Sequence, residues 1–292
     1  VESPASMNAV PSSSSTHRPV PDDLRGVWRR TLLQTDTDTD QPPLEDDSSW
    51  VHWMQTSVWH ADLRVPPSAL QGREALPLNQ LSPMQRAALA AQQGFAGITQ
   101  VENLPEGQIC HWLRRTDYQP PALQPDAGWL VFDQPDQLVE IGVHDSYNEI
   151  WARLPDSVGR FVTLAELAED GRDTGARILV AGSYMMKVRP RAVRWPRGMN
   201  PGYTLTDVLL HSPDQALDWL ACEVSFGRLE QGRWAIERST LPEREGQVCE
   251  CALQRLDAHR AWVRQSQQGQ QGASSTAWQV LEWSCDTDQL GA

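Results

Sequence analysis

The sequence predicts an all-β protein built from two tandem antiparallel barrels with one or two short helices. Short strand-like segments of about five to eight residues follow one another, separated by clusters of Gly, Pro, Asn and Asp. The two halves of the chain share this style, and they open on similar segments, Arg25–Arg30 and Asn148–Arg153. Each half has enough strands to close into a small barrel, which removes exposed sheet edges.

The strands divide almost evenly between the halves. Those of the first half are predicted at 25–34, 50–55, 58–65, 95–102, 108–116, 128–134 and 137–144. Those of the second half are predicted at 147–154, 176–189, 203–211, 217–226, 232–239, 247–256, 259–266 and 277–284. The boundary is expected near Asp145–Ser146. This gives a disordered Ser- and Pro-rich tail at 1–21, a first barrel at 22–146 and a second barrel at 147–292, with residues 1–6 interpreted as additions before Met7.

Two helices are predicted from capping boxes, in which an N-cap hydroxyl and a side chain three residues later satisfy each other's backbone N–H groups. In the first, Ser82 is the N-cap, Pro83 takes the first helical position and Gln85 completes the box. This helix is expected to cover 84–93 and to end at a glycine. A shorter helix is expected at Thr163–Glu166, where the same pattern recurs.

Charge and composition limit the partners. Acidic residues outnumber basic ones, 38 against 25, and the formal net charge is −13. Nucleic acids and anionic membranes require basic surfaces, so neither is expected as a partner. No apolar run approaches the roughly 20 residues that span a bilayer, and no signal peptide is evident. The odd number of cysteines, five, then favours reduced thiols and a cytoplasmic protein.

Several common chemistries lack their motifs. The sequence has no Walker loop, dinucleotide fingerprint, Gly-x-Ser-x-Gly elbow or kinase motif. Cys249 and Cys251 share one face of a strand, but no second close pair completes a zinc site. Neither a metal nor a cofactor is therefore expected.

The first strand carries Gly26-Val27-Trp28, and a later segment carries Asp62-Leu63-Arg64. The first motif resembles the Gly-x-Trp signature of lipocalins and other calycins, in which the tryptophan packs across the base of the barrel. The layout of residues 22–290 is similar to the Hri-type proteins, a group of double calycin barrels in which an Asp-Leu-Arg-like segment follows the tryptophan motif. The resemblance implies two fused calycin-like barrels and no particular activity. Calycins include carriers, haem proteins and a minority of enzymes.

The segment 50–65 predicts a β-hairpin with ionisable residues where apolar ones would be expected. With a two-residue turn at Thr56-Ser57, one face carries Val51, Trp53, Gln55, Val58, His60, Asp62 and Arg64. The other face carries His52, Met54, Trp59, Ala61 and Leu63, which is a packing surface apart from its histidine. A three-residue turn would scatter the ionisable residues over both faces.

The polar face of the hairpin is the first candidate site. His60 is expected to transfer a proton, Asp62 to orient it or balance charge, and Arg64 to hold an anionic group. Trp53 would stack on the ligand, with Gln55 and His52 beside it. The alternative is a salt bridge between Asp62 and Arg64 on a solvated strand, since a neighbouring arginine lowers the pKa of an aspartate.

A second candidate cluster lies on the following strands. Glu140 and His144 share one face of a strand, and Glu149 and Trp151 share a face of the next, beside Tyr147. Glu149 is the expected distant partner of His60, with Glu140, Tyr147 and Trp151 as further ligand contacts. The alternatives are a surface pair of Glu149 with Arg153 and an interdomain loop at residues 144–146.

Two other features have both a functional and a structural interpretation. His111 is placed among the ligand contacts, although a structural histidine is the simpler interpretation. A basic stripe, defined as Lys187, Arg189, Arg191, Arg194 and Arg197, could bind an anion or neutralise acidic surface on the other barrel.

The predicted function is the binding of a small apolar or aromatic molecule in a cavity of the first barrel lined by some of the 13 tryptophans. Cofactor-free acid–base chemistry such as elimination, hydration or isomerisation would accompany it. The alternatives are a carrier without chemistry, an interaction scaffold, and a nitrobindin-like haem protein with His111, His144 or His259 as axial ligand. A homodimer is a further open alternative.

Overall fold

The computed structural model describes residues 17–36, 42–267 and 274–290. It contains two closed eight-stranded antiparallel barrels in tandem, which confirms the predicted fold class and is consistent with a double calycin-like fold. Each barrel is a ring of sequential neighbours, and each sheet carries one additional short strand.

The first sheet contains nine strands, of which all but β2 form the ring. They are β1 Gly26–Thr35, β2 Leu44–Asp46, β3 Trp50–Gln55, β4 Trp59–Val65, β5 Gln93–Leu104, β6 Gly107–Asp117, β7 Ala127–Gln134, β8 Gln137–Gly142 and β9 Tyr147–Arg153. The ring closes because β1 pairs with both β3 and β9.

The second sheet also contains nine strands, of which all but β18 form the ring. They are β10 Phe161–Leu167, β11 Asp173–Ala181, β12 Tyr184–Arg189, β13 Glu223–Glu230, β14 Arg233–Ser239, β15 Val248–Arg255, β16 Arg260–Gln267, β17 Ser274–Ser284 and β18 Gln289–Leu290. Closure comes from the pairing of β10 with β17.

The boundary between the barrels lies after strand β9, later in the chain than predicted. This strand pairs with β8 on one side and with β1 on the other, so it closes the first barrel. The predicted boundary at 146/147 assigned this strand to the second barrel, whose first strand begins only at Phe161. The similarity of Asn148–Arg153 to Arg25–Arg30 therefore relates two adjacent strands of one barrel, not the starts of two barrels.

The helices α1 Pro67–Leu70, α2 Pro83–Leu89, α3 Leu205–His211 and α4 Ala216–Leu220 are short. The Ser82 capping box is present: its hydroxyl accepts from Gln85 N–H and the Gln85 side chain accepts from Ser82 N–H. The helix ends at Leu89 rather than 93, because Gln93 begins β5 and pairs with Arg64. None of the helices in the described part of the chain is long and apolar enough to span a membrane.

Four local predictions are wrong. The strand predicted at 176–189 is divided into β11 and β12, and the strand predicted at 217–226 begins in the helix α4. Thr163–Glu166 lies in β10, where pairing with β11 and β17 overrides the local capping pattern. The segment predicted as a strand at 203–211 instead forms α3, which starts at a capping box of Thr204 and Asp207. Its buried residues Leu205 and Val208 are three apart, which is helical spacing.

The base of the first barrel is closed by the segment before β1. Trp28 is fully buried and its indole Nε1 donates to the carbonyl of Leu24 at 2.8 Å. The Arg153 guanidinium carbon lies 4.7 Å from the Trp28 ring centroid. Val20 is also buried and its N–H donates to the Ser57 carbonyl, so residues 17–21 of the predicted tail are ordered. Residues 1–16 of that tail lie outside the described residues.

The barrels pack against each other through an apolar interface. One face of β3 and β4 contributes Met54, Ala61 and Leu63, which pack with Met186 and Phe226 of the second barrel. Burial of such apolar side chains stabilises the contact by about 25 cal/mol per Å². The packing face predicted for the hairpin therefore contacts the other barrel.

Candidate functional site

The β3–β4 hairpin has a register different from the expected one. Gln55 is opposite His60 and Trp53 is opposite Asp62, two residues away from the predicted pairing. The loop is longer because Thr56 N–H donates to the Trp59 carbonyl and closes a wider turn. A shift of two residues keeps every side chain on its face, since strand side chains alternate with period two. The predicted polar face is therefore intact.

This polar face is directed into the first barrel. Trp53, Asp62 and Arg64 line one small cavity together with residues from outside the hairpin, namely Phe95, Trp112, Asp126, Glu140 and Trp151. The expectation of a solvated strand face is overturned, because Asp62 is 2% exposed.

An ion network joins the two predicted clusters. Arg64 donates from Nε to Asp62 Oδ1 at 3.0 Å and from a terminal nitrogen to Glu149 Oε1 at 3.0 Å. Arg30 donates to the same Glu149 oxygen at 2.6 Å and to Asp46 at 2.7 Å. Glu149 is thus shared by two arginines inside the barrel rather than paired with Arg153 on the surface.

The opposite charges of this network change the pKa values of its members. Burial alone would lower the pKa of Arg64, but Asp62 and Glu149 raise it well above its usual value. Burial raises the pKa of Asp62 despite the opposing effect of Arg64. The Arg64 guanidinium remains charged and fixes the two carboxylates, which is a positioning role.

Glu140 and Tyr147 form a pair at one end of this network. The Tyr147 hydroxyl donates to Glu140 Oε1 at 2.8 Å. Burial, with a contribution from Glu149, raises the pKa of Glu140 to about 8, so this acid is largely protonated at neutral pH. Burial and Glu140 also raise the pKa of Tyr147, which keeps its hydroxyl protonated.

Two glycines make room for this pair. A Cβ at Gly128 would lie 2.7 Å from Glu140 Cγ, and one at Gly142 would lie 2.6 Å from the Tyr147 ring. Contacts that short do not occur, so both positions need glycine if Glu140 and Tyr147 are to keep their places. Glu140 and Tyr147 belong to one cluster predicted from the sequence, but their direct hydrogen bond was not predicted.

His60 and Gln55 lie apart from the ion network. The Thr99 hydroxyl donates to Gln55 Oε1 at 2.7 Å, so it accepts from His60 Nδ1 at 3.0 Å. Burial, aided by Arg114, lowers the pKa of His60 to about 3, and the ring is neutral. No hydrogen bond among the described residues links His60 to Asp62 or Arg64, so this geometry does not favour His60 for proton transfer.

The other histidines are scattered. His52 lies between the barrels with ring centroids 4.0 Å from Trp50 and 4.8 Å from Phe226, and burial, with Arg29, lowers its pKa to about 3. His111 lies between Cys110 and Trp112, which point inward, so its own side chain points outward. His144 lines a cleft outside the barrel.

None of the haem-ligand candidates lies inside a barrel. His111 and His144 are placed as described above, and His259 is exposed between β15 and β16. The geometry therefore gives no support to the haem alternative.

The interior of the first barrel is filled by indoles. Trp53 packs 6.4 Å from Trp28, 5.6 Å from Trp112 and 5.7 Å from Trp151, measured between ring centroids. The remaining internal cavity is about 10 Å³, which accommodates one water molecule. The cavity that Trp53, Trp112 and Trp151 line is therefore too small for the ligand that the sequence led us to expect there.

A cleft large enough for a ligand lies at the end of the first barrel. This cleft has a volume of about 720 Å³. Its wall consists of the ends of barrel strands, the proline-rich segment 119–126 and the start of α3, including Arg114, Leu123, Asp126, Ala127, His144, Tyr147, Tyr203 and Thr204. The prolines of this segment were the available signal, but nothing in the sequence placed them over the barrel.

Asp126 connects the cleft with the interior. It lines both the cleft and the small internal cavity. Its Oδ2 accepts from Arg114 at 2.7 Å, and Arg114 also contacts Asp117 at 2.9 Å and stacks 3.5 Å above the Phe95 ring centroid. Tyr147 lines the cleft as well, so the cleft is one side chain away from Glu140.

The basic stripe does not act as one surface. Lys187 donates to Gln265 at 3.1 Å and Arg189 pairs with buried Glu223 at 3.2 Å. Arg191 instead stacks on Trp195, 4.0 Å from the ring centroid. Because these three residues contact different partners, the structure gives no support to the stripe as one anion-binding or charge-neutralising surface.

The described residues contain no group of three or more His, Cys, Asp or Glu side chains that could hold a metal ion. All five cysteines are free. Comparison with known proteins adds no further assignment, since no family model, no curated protein and no solved structure matches the chain.

Proposed function

We propose that the protein binds a small aromatic or apolar molecule in the cleft at the end of its first barrel and exchanges a proton with it through Tyr147 and Glu140. The observation that carries this proposal is the position of the Tyr147 hydroxyl. Tyr147 lines a cleft of about 720 Å³, and its hydroxyl donates to the buried carboxyl of Glu140 at 2.8 Å.

The chemistry follows from the protonation of this pair. Below about pH 8 Glu140 holds a proton, so Tyr147 can give its own proton to a ligand and regain one from Glu140. Above that pH the carboxylate can accept the proton of Tyr147 while the hydroxyl takes one from the ligand. Such cofactor-free transfer suits an elimination, a hydration or an isomerisation.

The relationship to Hri-type proteins belongs to the same proposal. It is supported by two fused eight-stranded barrels and by the position of the Gly26-Val27-Trp28 motif at the base of the first one. A carrier without chemistry would use the same cleft, and only the pH behaviour of a bound ligand separates the two functions.

The binding test uses 7-hydroxycoumarin, a flat aromatic probe whose neutral and ionised forms differ in absorption. We expect saturable binding by fluorescence anisotropy, and about threefold to tenfold weaker binding to Tyr147→Phe, because one hydrogen bond is lost. Tyr184→Phe is the matched control, since the Tyr184 hydroxyl contacts Arg228 away from the cleft. Absence of saturable binding, or equal binding to both variants, would overturn the proposed site.

The proton-exchange test follows the ionisation of the bound probe. An ionised Glu140 disfavours a phenolate nearby, so Glu140→Gln should lower the pH at which the bound probe ionises. If the bound probe ionises at the same pH in Glu140→Gln and in the unmodified protein, then the protein binds ligand without exchanging a proton with it.

A further inference from the structure

We propose that the first barrel contains a specific site for one water molecule, held between two indole N–H groups and two carboxyl groups. The site is the internal cavity lined by Trp53, Trp151, Asp62 and Glu140. It stands independently of whether the cleft binds a ligand.

The donors come from two tryptophans whose indole N–H groups have no partner in the part of the chain that the structure describes. Trp53 Nε1 and Trp151 Nε1 are buried and have no hydrogen-bond partner among the described residues. The two residues are 2% and 1% exposed, and both line the cavity. Buried N–H groups are almost always hydrogen-bonded, and a water oxygen can accept from two donors at once.

The two carboxyl groups lie on the same cavity wall. Glu140 is 3% exposed, and its only hydrogen bond among the described residues is the one that Oε1 accepts from Tyr147. Its other oxygen has no hydrogen bond among the described residues, so it can donate to a water while the carboxyl is protonated and accept from one when the carboxyl is ionised. The Asp62 oxygens each accept from Arg64, at 3.0 and 3.2 Å, and each retains a further lone pair.

The volume of the internal cavity limits its ligand to a molecule of the size of water. About 10 Å³ corresponds to one water-sized sphere and excludes any organic molecule or hydrated ion. A water here would have four polar groups around it, two indole N–H groups and two carboxyl groups, which is within the range of partners that buried waters have. Asp126, on the wall of both cavity and cleft, marks the route by which this water exchanges with solvent.

Other orphaned indoles provide an internal comparison. Trp234 Nε1 is also buried without a partner among the described residues, but its ring lies in the apolar core of the second barrel. Trp28 Nε1 is satisfied by the Leu24 carbonyl. The water site should therefore be visible at Trp53 and Trp151 and at neither of these two.

The experiment is proton NMR of the uniformly ¹⁵N-labelled full chain. Indole N–H protons are recorded for nuclear Overhauser contacts to water, with assignment by Trp→Phe substitution. We expect water contacts of the sign given by a long-lived bound molecule at Trp53 and Trp151, and none at Trp28 and Trp234. Absence of such contacts at Trp53 and Trp151 in the folded, unmodified protein would overturn the proposal.

A crystal structure with ordered solvent gives the second readout, which does not depend on any variant folding. We expect one density peak within hydrogen-bond distance of Trp53 Nε1, Trp151 Nε1 and the Glu140 carboxyl. A direct contact of either indole with a protein acceptor in that structure would contradict the site, whatever the outcome of the probe experiments.

Discussion

The two barrels share a topology but fill their interiors in different ways. The core of the second barrel is largely apolar, built from side chains such as Ile178, Val180 and Leu253, although Glu223 is also buried and pairs with Arg189 and Arg244. The first barrel places the Arg64–Asp62–Glu149 network among its tryptophans. Burying charges costs desolvation energy that the ion pairs only partly recover. The first barrel thus carries its ion network among indoles at its centre, and the proposed function rests on the residues next to that network.

The similarity of the backbones makes this difference more informative. In each barrel the fourth ring strand has a bulge directly before a glycine, Gly97 in β5 and Gly227 in β13. A Cβ at Gly97 would lie 2.0 Å from the Leu113 carbonyl oxygen, and one at Gly227 would lie 1.9 Å from that of Ala235. The matching bulges support a tandem duplication. The two barrels thus share a topology and differ in the side chains that it carries.

The largest expected effect comes from breaking the ion network. Arg64→Met leaves Asp62 and one contact of Glu149 without a cation, so the free energy of unfolding should fall by about 3–5 kcal/mol. Urea unfolding followed by tryptophan fluorescence and circular dichroism measures it.

The matched change in the second barrel is Arg228→Met. Arg228 pairs with Glu230 on the surface, and its side chain is 36% exposed, so its loss should cost less than about 1 kcal/mol. Equal losses for the two arginines would contradict this difference between the two barrels.

The glycine bulges provide the next test. Gly97→Ala and Gly227→Ala should each destabilise the protein by about 1–3 kcal/mol or more, because the added methyl meets backbone atoms that cannot move independently. The two losses should be similar if the bulges are equivalent. Thermal unfolding of both variants compares them, with Gly246→Ala, which has open space around its Cβ but a positive φ, as the reference for strain alone.

The pH dependence of the free energy of unfolding tests the buried Glu140 of the first barrel. Because folding raises the pKa of Glu140 to about 8 from 4.5, the folded state binds more protons than the unfolded state between these values. Stability should therefore fall as the pH rises from about 4.5 to 8, by at most about 1.4 kcal/mol per pH unit, and then level off.

Glu140→Gln should remove this loss, since the amide is neutral at every pH and still accepts from Tyr147. Glu250→Gln, at an exposed position of the second barrel, should leave the slope unchanged. An unaltered slope in Glu140→Gln would show that another group is responsible.

The smallest effect concerns the independence of the barrels. Ile178→Val removes one buried methylene from the second core and should cost about 0.5–1.5 kcal/mol. Binding of 7-hydroxycoumarin should not change, because no wall of the cleft touches this core. A change in probe affinity beyond twofold would indicate that the second barrel contributes to the site.

The sequence by itself determined the class of fold and the composition of the polar face. Alternation with period two defined most strands, and it kept Trp53, Asp62 and Arg64 on one face even though the predicted hairpin register was wrong by two residues. The Ser82 capping box also needed only local information, because both of its hydrogen bonds lie within four consecutive residues.

Tertiary structure decided where that face points and how much space it encloses. Strand β9 belongs to the first barrel because it pairs with β1, which precedes it by more than a hundred residues. Likewise, the indoles that fill the interior come from strands β1, β3, β6 and β9, so their packing is invisible in any one segment. The volume of a cavity depends on how the closed ring of strands packs. The sequence therefore could not show that the cavity lined by Trp53 and Trp151 is only about 10 Å³, or that a cleft of about 720 Å³ lies at the end of the barrel.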